Sequence, residues 1–343
     1  MKNSRLVSIF TIFVFGISLA LTGCGQQSAS NGADKTTQTE ENTKPSDAFP
    51  NKPITLINHS TAGSPSDICA RELAKAAEQI LGQPVVVENR SGGGGAIQMA
   101  AITAAKPDGY TIGTVTPSHI GGWNTTLKGQ YSADSFTFIA DIQIDPYCIV
   151  VNAESEFKTL QDLVDYMKKN PGKITIGSMG SVGSGNNIAW NIFAEKAGVE
   201  ATWVAYEGVA DSVTALLGKH IDVANSYPGT VAQYVEAGQL RILGVMSDNR
   251  AEAFPDVPTY AEAGFPVDTS WAQFRGIYGP AGIPGEITQK LSDAFLKAME
   301  TDGFKEYMKN SGMQDGSMDC NEFTEFIMKQ NKTTADWLTR LGV

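Results

Sequence analysis

Two stretches of this chain combine glycine, hydroxyl side chains and the start of a helix. The first runs Asn58-His59-Ser60-Thr61-Ala62-Gly63-Ser64-Pro65-Ser66-Asp67. The second runs Gly177-Ser178-Met179-Gly180-Ser181-Val182-Gly183-Ser184-Gly185-Asn186-Asn187. Glycine lets the backbone approach a ligand closely. Hydroxyls and the unpaired N–H groups of a helix's first turn donate hydrogen bonds, and the helix dipole favours negative charge. One such loop is explained equally well by a helix cap at Ser66 or Asp67. Two of them in separate parts of the chain point to a clamp for a carboxylate or phosphate.

Catalytic motifs are missing from these loops. Ser178, Ser181 and Ser184 do not complete G-x-S-x-G, Gly92 to Gly95 do not satisfy G-x-G-x-x-G, and Gly218-Lys219-His220 lacks the upstream glycine of a phosphate-binding P-loop. Histidines 59, 119 and 220 form no pair at metal-ligand spacing. Cys69 lies near His59 and Asp67, but inside an amphipathic helical pattern, which makes it a packed thiol. The expectation is a binding protein with no catalytic residue, no metal and no cofactor.

The elements that position these loops alternate strand and helix. Apolar runs predict strands at 54–57, 85–87, 110–115, 174–177, 202–205, 221–225 and 241–245. Helical periodicity predicts helices at 66–81, 96–105, 184–197, 209–217 and 229–237, then 284–300, 302–310 and 320–340. This alternation implies an α/β fold with largely parallel sheets, which bind ligands outside the carboxyl ends of their strands. Further strand-like stretches lie at Phe136–Ile139, Tyr147–Val151 and 271–278. Such crossings, about 120 residues apart, suit two lobes: residues 50–149 with 272–343 as lobe 1, and 150–271 as lobe 2, which includes the hinge crossings.

Of 343 residues, 42% are hydrophobic and 18% charged, enough apolar sequence for a sizeable core. Twenty-six basic residues against 37 acidic ones give a net charge of −11, with no Lys/Arg cluster, which excludes nucleic acid as a partner. At the start, Lys2 and Arg5 precede an apolar run from Leu6 to Leu21, about 16 residues and short of the ~20 that span a bilayer. This reads as a secretory signal. It closes on Leu21-Thr22-Gly23-Cys24, which resembles the lipobox of bacterial lipoproteins and so implies cleavage after residue 23 and a lipid on Cys24. Residues 24–49 are polar and poor in apolar side chains, the composition of a flexible tether with a reach of ~25–30 Å. The mature protein is thus expected outside the cytoplasm, lipid-anchored to a bacterial membrane. Cys69, Cys148 and Cys320 are an odd number and suggest no disulfide framework.

A series of motifs then resembles one family. Lys52-Pro53-Ile54-Thr55-Leu56-Ile57, Ala62-Gly63 and Asp67 are followed by Leu81-Gly82-Gln83-Pro84-Val85-Val86-Val87-Glu88-Asn89-Arg90 and Pro107-Asp108-Gly109-Tyr110-Thr111. Asn170-Pro171-Gly172-Lys173, Leu216-Leu217-Gly218, Gly238-Gln239-Leu240-Arg241, Asp256-Val257-Pro258-Thr259 and Gly279-Pro280-Ala281-Gly282 continue in the same order. Together they resemble the substrate-binding proteins of tripartite tricarboxylate transporters, the Bug family, over about residues 50–340. The resemblance implies a two-lobed fold of the periplasmic-binding-protein kind, type II, with a ligand cleft between the lobes. It implies a monomeric receptor that closes on a small carboxylate and delivers it to a two-component membrane permease. Presentation of the ligand to a membrane sensor protein is the alternative reading.

The residues carried over to the ligand are Ser60, Ala62, Gly63, Ser64, Ser66 and Asp67 in the first loop, and Ser178, Gly183, Ser184 and Asn187 in the second. Thr116 and Ser118 match a cleft-facing segment, and Tyr206, Glu207 and Gly208 match a loop near the ligand's far end. Arg275 is a candidate partner for a second carboxylate. The chain also departs from the family. His59 and Ser60 replace a Pro-Phe pair, Ser64 a glycine, Asn187 a histidine and Ser226 an acidic residue, and Pro65 removes one N–H donor. Several of these positions select the ligand's distal group.

Overall fold

The computed structural model describes residues 49–311 and 313–343. The expected signal segment, Cys24 and nearly all of the tether lie outside the described residues. Two mixed sheets organise the chain. The first half-repeat contains β1 (Ile54–Asn58), α1 (Pro65–Leu81), β2 (Val85–Asn89), α2 (Ala96–Thr103) and β3 (Thr111–Val115). A short helix, α3 (Pro117–Asn124), then leads to the long strand β4 (Phe136–Asp145). The chain crosses to the second sheet with β5 (Cys148–Asn152), followed by α4 (Leu160–Lys169), β6 (Thr175–Met179), α5 (Gly185–Ala197), β7 (Thr202–Tyr206), α6 (Val209–Leu217), β8 (Val223–Ser226), α7 (Pro228–Glu236) and β9 (Leu240–Val245). It returns through β10 (Gln273–Pro280) and ends with α8 (Gly285–Met299), α9 (Asp302–Ser311), β11 (Gln314–Asp315) and α10 (Cys320–Leu341).

The strand orders are β11-β4-β10-β3-β1-β2 and β7-β6-β8-β5-β9. In each sheet a strand-helix-strand-helix-strand unit places its first strand, β1 or β6, between the other two, all parallel. An antiparallel strand then follows, β10 beside β3 and β5 beside β8. Each of these antiparallel strands arrives by a crossing from the other sheet. Both sheets are covered on two faces by buried apolar clusters, which is why their strands read as continuous apolar runs. The resulting α/β fold has two lobes. Helix α10 ties them: Phe323 and Ile327 are buried in the first lobe, and Trp337 and Leu341 pack on the core of the second.

Local chemistry explains the boundaries. Helix α1 is capped by Ser64, has Pro65 at its first position, and ends on Gly82 at φ 67°. Helices α3 and α4, unanticipated above, are held by capping boxes, Thr116 with His119 and Thr159 with Asp162. Gly276 is where β10 meets α10: a Cβ there would sit 2.1 Å from the Phe323 ring. Cys69, Cys148 and Cys320 are unpaired and buried. Burial pushes the Cys69 thiol up to about 11, away from the reactive thiolate form.

Strand β4 runs six residues past the expected Ile139 and carries Asp141, Gln143 and Asp145, all buried. Neither carboxylate oxygen of Asp141 has a hydrogen-bond partner among the described residues. Burial pushes its carboxyl well above the usual range. The charge of Asp145 adds to it. A group whose folded pKa is raised contributes stability below its unfolded pKa and loses it as pH rises. Asp141→Asn is therefore expected to raise the urea midpoint at pH 7 to 9, with the difference from the parent closing towards pH 4.

Candidate functional site

Strands β1 and β6 end in loops built on one plan. Gly63 (φ 80°) and Gly183 (φ 85°) adopt the left-handed conformation that favours glycine. Each is followed by a serine that caps a helix: the Ser64 Oγ accepts from the Asp67 N–H, and the Ser184 Oγ from the Asn187 N–H, both at 3.3 Å. The third helical residue reaches back. The Gly63 N–H donates to the Asp67 carboxylate at 2.8 Å, and the Gly183 N–H to the Asn187 amide oxygen at 3.0 Å. The second helical residue reaches the preceding strand. The Ser66 hydroxyl donates to the Asn58 amide oxygen at 3.0 Å, and the Asn186 amide to the Ser178 hydroxyl at 2.8 Å. The motif Gly-Ser-x-(Ser/Asn)-(Asp/Asn) thus appears once in each lobe.

These bonds decide which donors remain for a ligand. Among the described residues, the N–H groups of Thr61, Ala62 and Ser66 in the first loop have no protein acceptor, and neither do those of Val182, Gly185 and Asn186 in the second. Pro65 offers none. The Ser60 and Ser64 hydroxyls face each other at 2.6 Å. Both helices point their positive ends at the same loops. What the two turns offer is rows of N–H groups, with the Ser60–Ser64 hydroxyl pair in the first, while the Ser184 hydroxyl is spent on the Met179 carbonyl at 3.2 Å; N–H rows suit an anion.

Asp67 is 2% exposed, the most buried member of the first loop after Asn58. Besides Gly63 it takes the Arg71 guanidinium at 3.0 Å and the Asn89 amide at 2.7 Å. Burial works against its charge, yet the Arg71, Gly63 and Asn89 hydrogen bonds together hold the carboxyl below its ordinary value. Its oxygens are committed to the loop. Ser178 is likewise buried, donating to the Asn225 carbonyl. Asn187 holds Gly183 and accepts from the Asn191 amide at 3.0 Å.

Other expected residues fall in varied places. Thr116 is buried as the cap of α3, and Ser118 is exposed beside it, their hydroxyls 2.8 Å apart. Tyr206 packs its ring over Gly177, Glu207 is exposed, and Gly208 caps α6. Ser226 is fully buried with its hydroxyl unpartnered. Arg275 corrects an expectation. Rather than standing free for a second carboxylate, it makes an ion pair with Asp145 at 3.0 Å, and its side chain is 15% exposed. The physical reason is β4, whose extension brings Asp145 alongside β10. Trp271 is buried, and its indole N–H donates to the Gly185 carbonyl at 3.0 Å.

Sequence reasoning missed the support beneath the loops. Asn58, Thr114, Gln98 and His119 form a buried polar network under the first, and Asn186, Asn225 and Tyr227 one under the second. The readable signal was a polar residue closing or interrupting an apolar strand, as Asn58, Thr114 and Asn225 do. Among the described residues no cluster of acidic, histidine or cysteine side chains is arranged to hold a metal, and no helix is long and apolar enough to cross a membrane.

Residues 69–343 match the model of the tripartite tricarboxylate transporter family receptor. The chain belongs to this family. Its members are extracytoplasmic substrate-binding proteins rather than enzymes. The chain is 35% identical to the UPF0065 protein in the gbd 5′ region of Cupriavidus necator, over 87% of this chain and 90% of that protein. It superposes on a TctC solute-binding protein from Polaromonas, solved with no ligand, with a TM-score of 0.78 and 26% identity, covering 85% of this chain and 99% of the other. It also resembles Rpa4515 of R. palustris, solved with adipate, with a TM-score of 0.67 and 25% identity over 86% and 98% of the two chains.

The two turns make Asp67 and Asn187 natural controls for each other. Asp67→Asn keeps an acceptor for the Gly63 N–H and is expected to cost about 1 kcal/mol at pH 7, whereas Asp67→Ala deprives both the Gly63 N–H and one Asn89 N–H of their acceptor and costs roughly 2–3 kcal/mol. The carboxyl's folded pKa is lowered, so its contribution is present above the unfolded value and fades as pH falls through the folded one. Urea denaturation at pH 7 and pH 3 checks both the order of the variants and the convergence of Asp67→Asn with the parent in acid.

Proposed function

We propose that this receptor captures a small organic carboxylate between its lobes and delivers it to a two-component membrane permease. The observation that carries this reading is the matched pair of Gly-Ser turns, one per lobe, each presenting unspent N–H donors at a helix N-terminus, joined in the first by the Ser60–Ser64 hydroxyl pair. A carboxylate bridging the two turns would neutralise both helix ends at once. Each turn has N–H donors with no protein acceptor among the described residues, so the ligand supplies the attraction that favours closure. Only a ligand that binds the closed form better can shift that equilibrium. The adipate in Rpa4515 supports the carboxylate class.

In this reading Ser60, Ala62, Ser64, Ser66, Ser184 and the Gly185 and Asn186 amides face the carboxylate. Gly63, Asp67, Ser178, Gly183 and Asn187 hold the turns in shape. Thr116, Ser118, Tyr206, Glu207 and Gly208 lie along the cleft towards the ligand's other end. The protein is a monomer. Residues 1–23 are removed as a signal, Cys24 carries the lipid, and residues 24–49 are the tether. Lobe 1 comprises 50–149 and 272–343, and lobe 2 comprises 150–271. A single acyl chain binds membranes weakly, so multiple acylation provides the lasting anchor.

The test is a thermal-shift screen of residues 47–343, which form one compact unit, against a carboxylate library. A ligand at ~100 times its Kd adds about 2.7 kcal/mol of stability. The expected result is a raised Tm with at least one carboxylate and none with its amide. Ligand-stripped, folded protein that responds to no carboxylate would overturn the reading. Ser184→Pro should abolish the response: it removes a cap hydroxyl and the N–H that donates to the Ser181 carbonyl.

A further inference from the structure

The first loop contains one side chain whose chemistry differs from its neighbours. His59 follows directly on β1, and its protonation can be traced bond by bond. Gln98 spends its amide N–H groups on the Ile57 carbonyl at 2.6 Å and the Thr114 carbonyl at 2.9 Å. Its oxygen therefore accepts, from the Tyr278 hydroxyl at 2.9 Å and from His119 Nε2 at 2.8 Å. His119 thus carries its proton on Nε2, and its Nδ1 accepts the Thr116 N–H at 3.2 Å. The Thr114 hydroxyl donates to the Asn58 amide oxygen at 3.0 Å. Its lone pair is left for His59, whose Nδ1 lies 3.2 Å away and must be the donor.

His59 Nε2 is consequently a bare acceptor. Among the described residues no donor reaches it. The ring is pinned edge-on against His119, with centroids 4.6 Å apart, and is only partly exposed. Burial, and then the charge of Arg275, lower its pKa to about 4, so the ring stays neutral at physiological pH. The rest of the loop offers N–H and O–H donors. An acceptor among donors complements a ligand that carries a hydrogen-bond donor close to its carboxylate.

We infer that His59 selects organic acids bearing a hydroxyl or N–H group on the carbon next to the bound carboxylate. This rests on the carboxylate-receptor reading above. Ligand oxygen and loop donor pair as before, while the ligand's own O–H or N–H donates to His59 Nε2. A parent acid without that group leaves the imidazole nitrogen unpaired in the closed cleft. Sites that hydrogen-bond a substrate hydroxyl reject the analogue lacking it for this reason.

The test compares matched acids by calorimetric titration of the purified full chain: L-malate, D-malate and L-aspartate against succinate, and citrate against tricarballylate. The expected result is at least tenfold tighter binding of one donor-bearing acid than of its parent. His59→Gln, which keeps an acceptor, should retain most of that ratio, and His59→Phe should reduce it to within about twofold. Nitrogen-15 NMR of histidine-labelled parent protein gives a measurement that needs no variant. Nε2 of His59 should change from a free to a hydrogen-bonded lone pair with the donor-bearing acid and stay free with its parent. Equal affinity for both members of every pair would overturn this inference while leaving the receptor reading intact. Proton uptake on binding would also overturn it, by making His59 a cation beside the carboxylate, with Arg275 and the neutral His119 as its nearest titratable neighbours. Binding of no acid at all overturns both readings.

Discussion

The structure depends on one small interaction made twice: a side chain at the third position of a helix accepting the N–H of a glycine four residues earlier. Asp67 does this for Gly63 and Asn187 for Gly183. The contact fixes each glycine in the left-handed region, turns the chain sharply out of the strand, and aims the helix end at the loop. It also consumes the glycine N–H, so the remaining donors are the ones offered to a ligand. The two copies are neutralised differently. The buried carboxylate of Asp67 needs Arg71 and Asn89, whereas the neutral amide of Asn187 needs only Asn191. A buried charge demands a larger supporting shell than a buried amide does.

Under each turn lies a polar network that no single residue defines. Beneath the first, Gln98 uses every hydrogen-bonding site it has, tying the ends of β1 and β3 to α3 and β10. Such a network rigidifies only when fully satisfied. Here it fixes the tautomers of two histidines and hence the chemical character of the loop above. The tautomer His59 presents is thus set partly by residues buried beneath the loop.

The alternation of strands and helices, and both Gly-Ser loops at helix starts, were legible because apolar periodicity and Gly-Ser clusters are local signals. Strand β4 was read too short because Asp141, Gln143 and Asp145 interrupt its apolar run, and nothing local shows that a neighbouring strand buries them. Helix α3 was hidden by Gly121 and Gly122, which lower its propensity, although Thr116 and His119 cap it. Helix α4 is legible in retrospect from Thr159 and Asp162 flanking Leu160, Leu163 and Val164. The fate of Arg275 was not legible, since its partner is 130 residues away. The common plan of the two turns was visible as Gly-Ser-Pro-Ser-Asp and Gly-Ser-Gly-Asn-Asn, but its meaning needed the hydrogen bonds.

The exchange of antiparallel strands between the sheets has a consequence for biogenesis. The second sheet uses residues 148–245 only, a continuous stretch of chain. The first waits for β10, which sits between β3 and β4 and begins at Gln273. A chain emerging from a membrane exit pore can therefore complete its later lobe before its earlier one. Until β10 arrives, β3 and β4 leave an open slot with unpaired backbone groups, a template for strand insertion by another molecule.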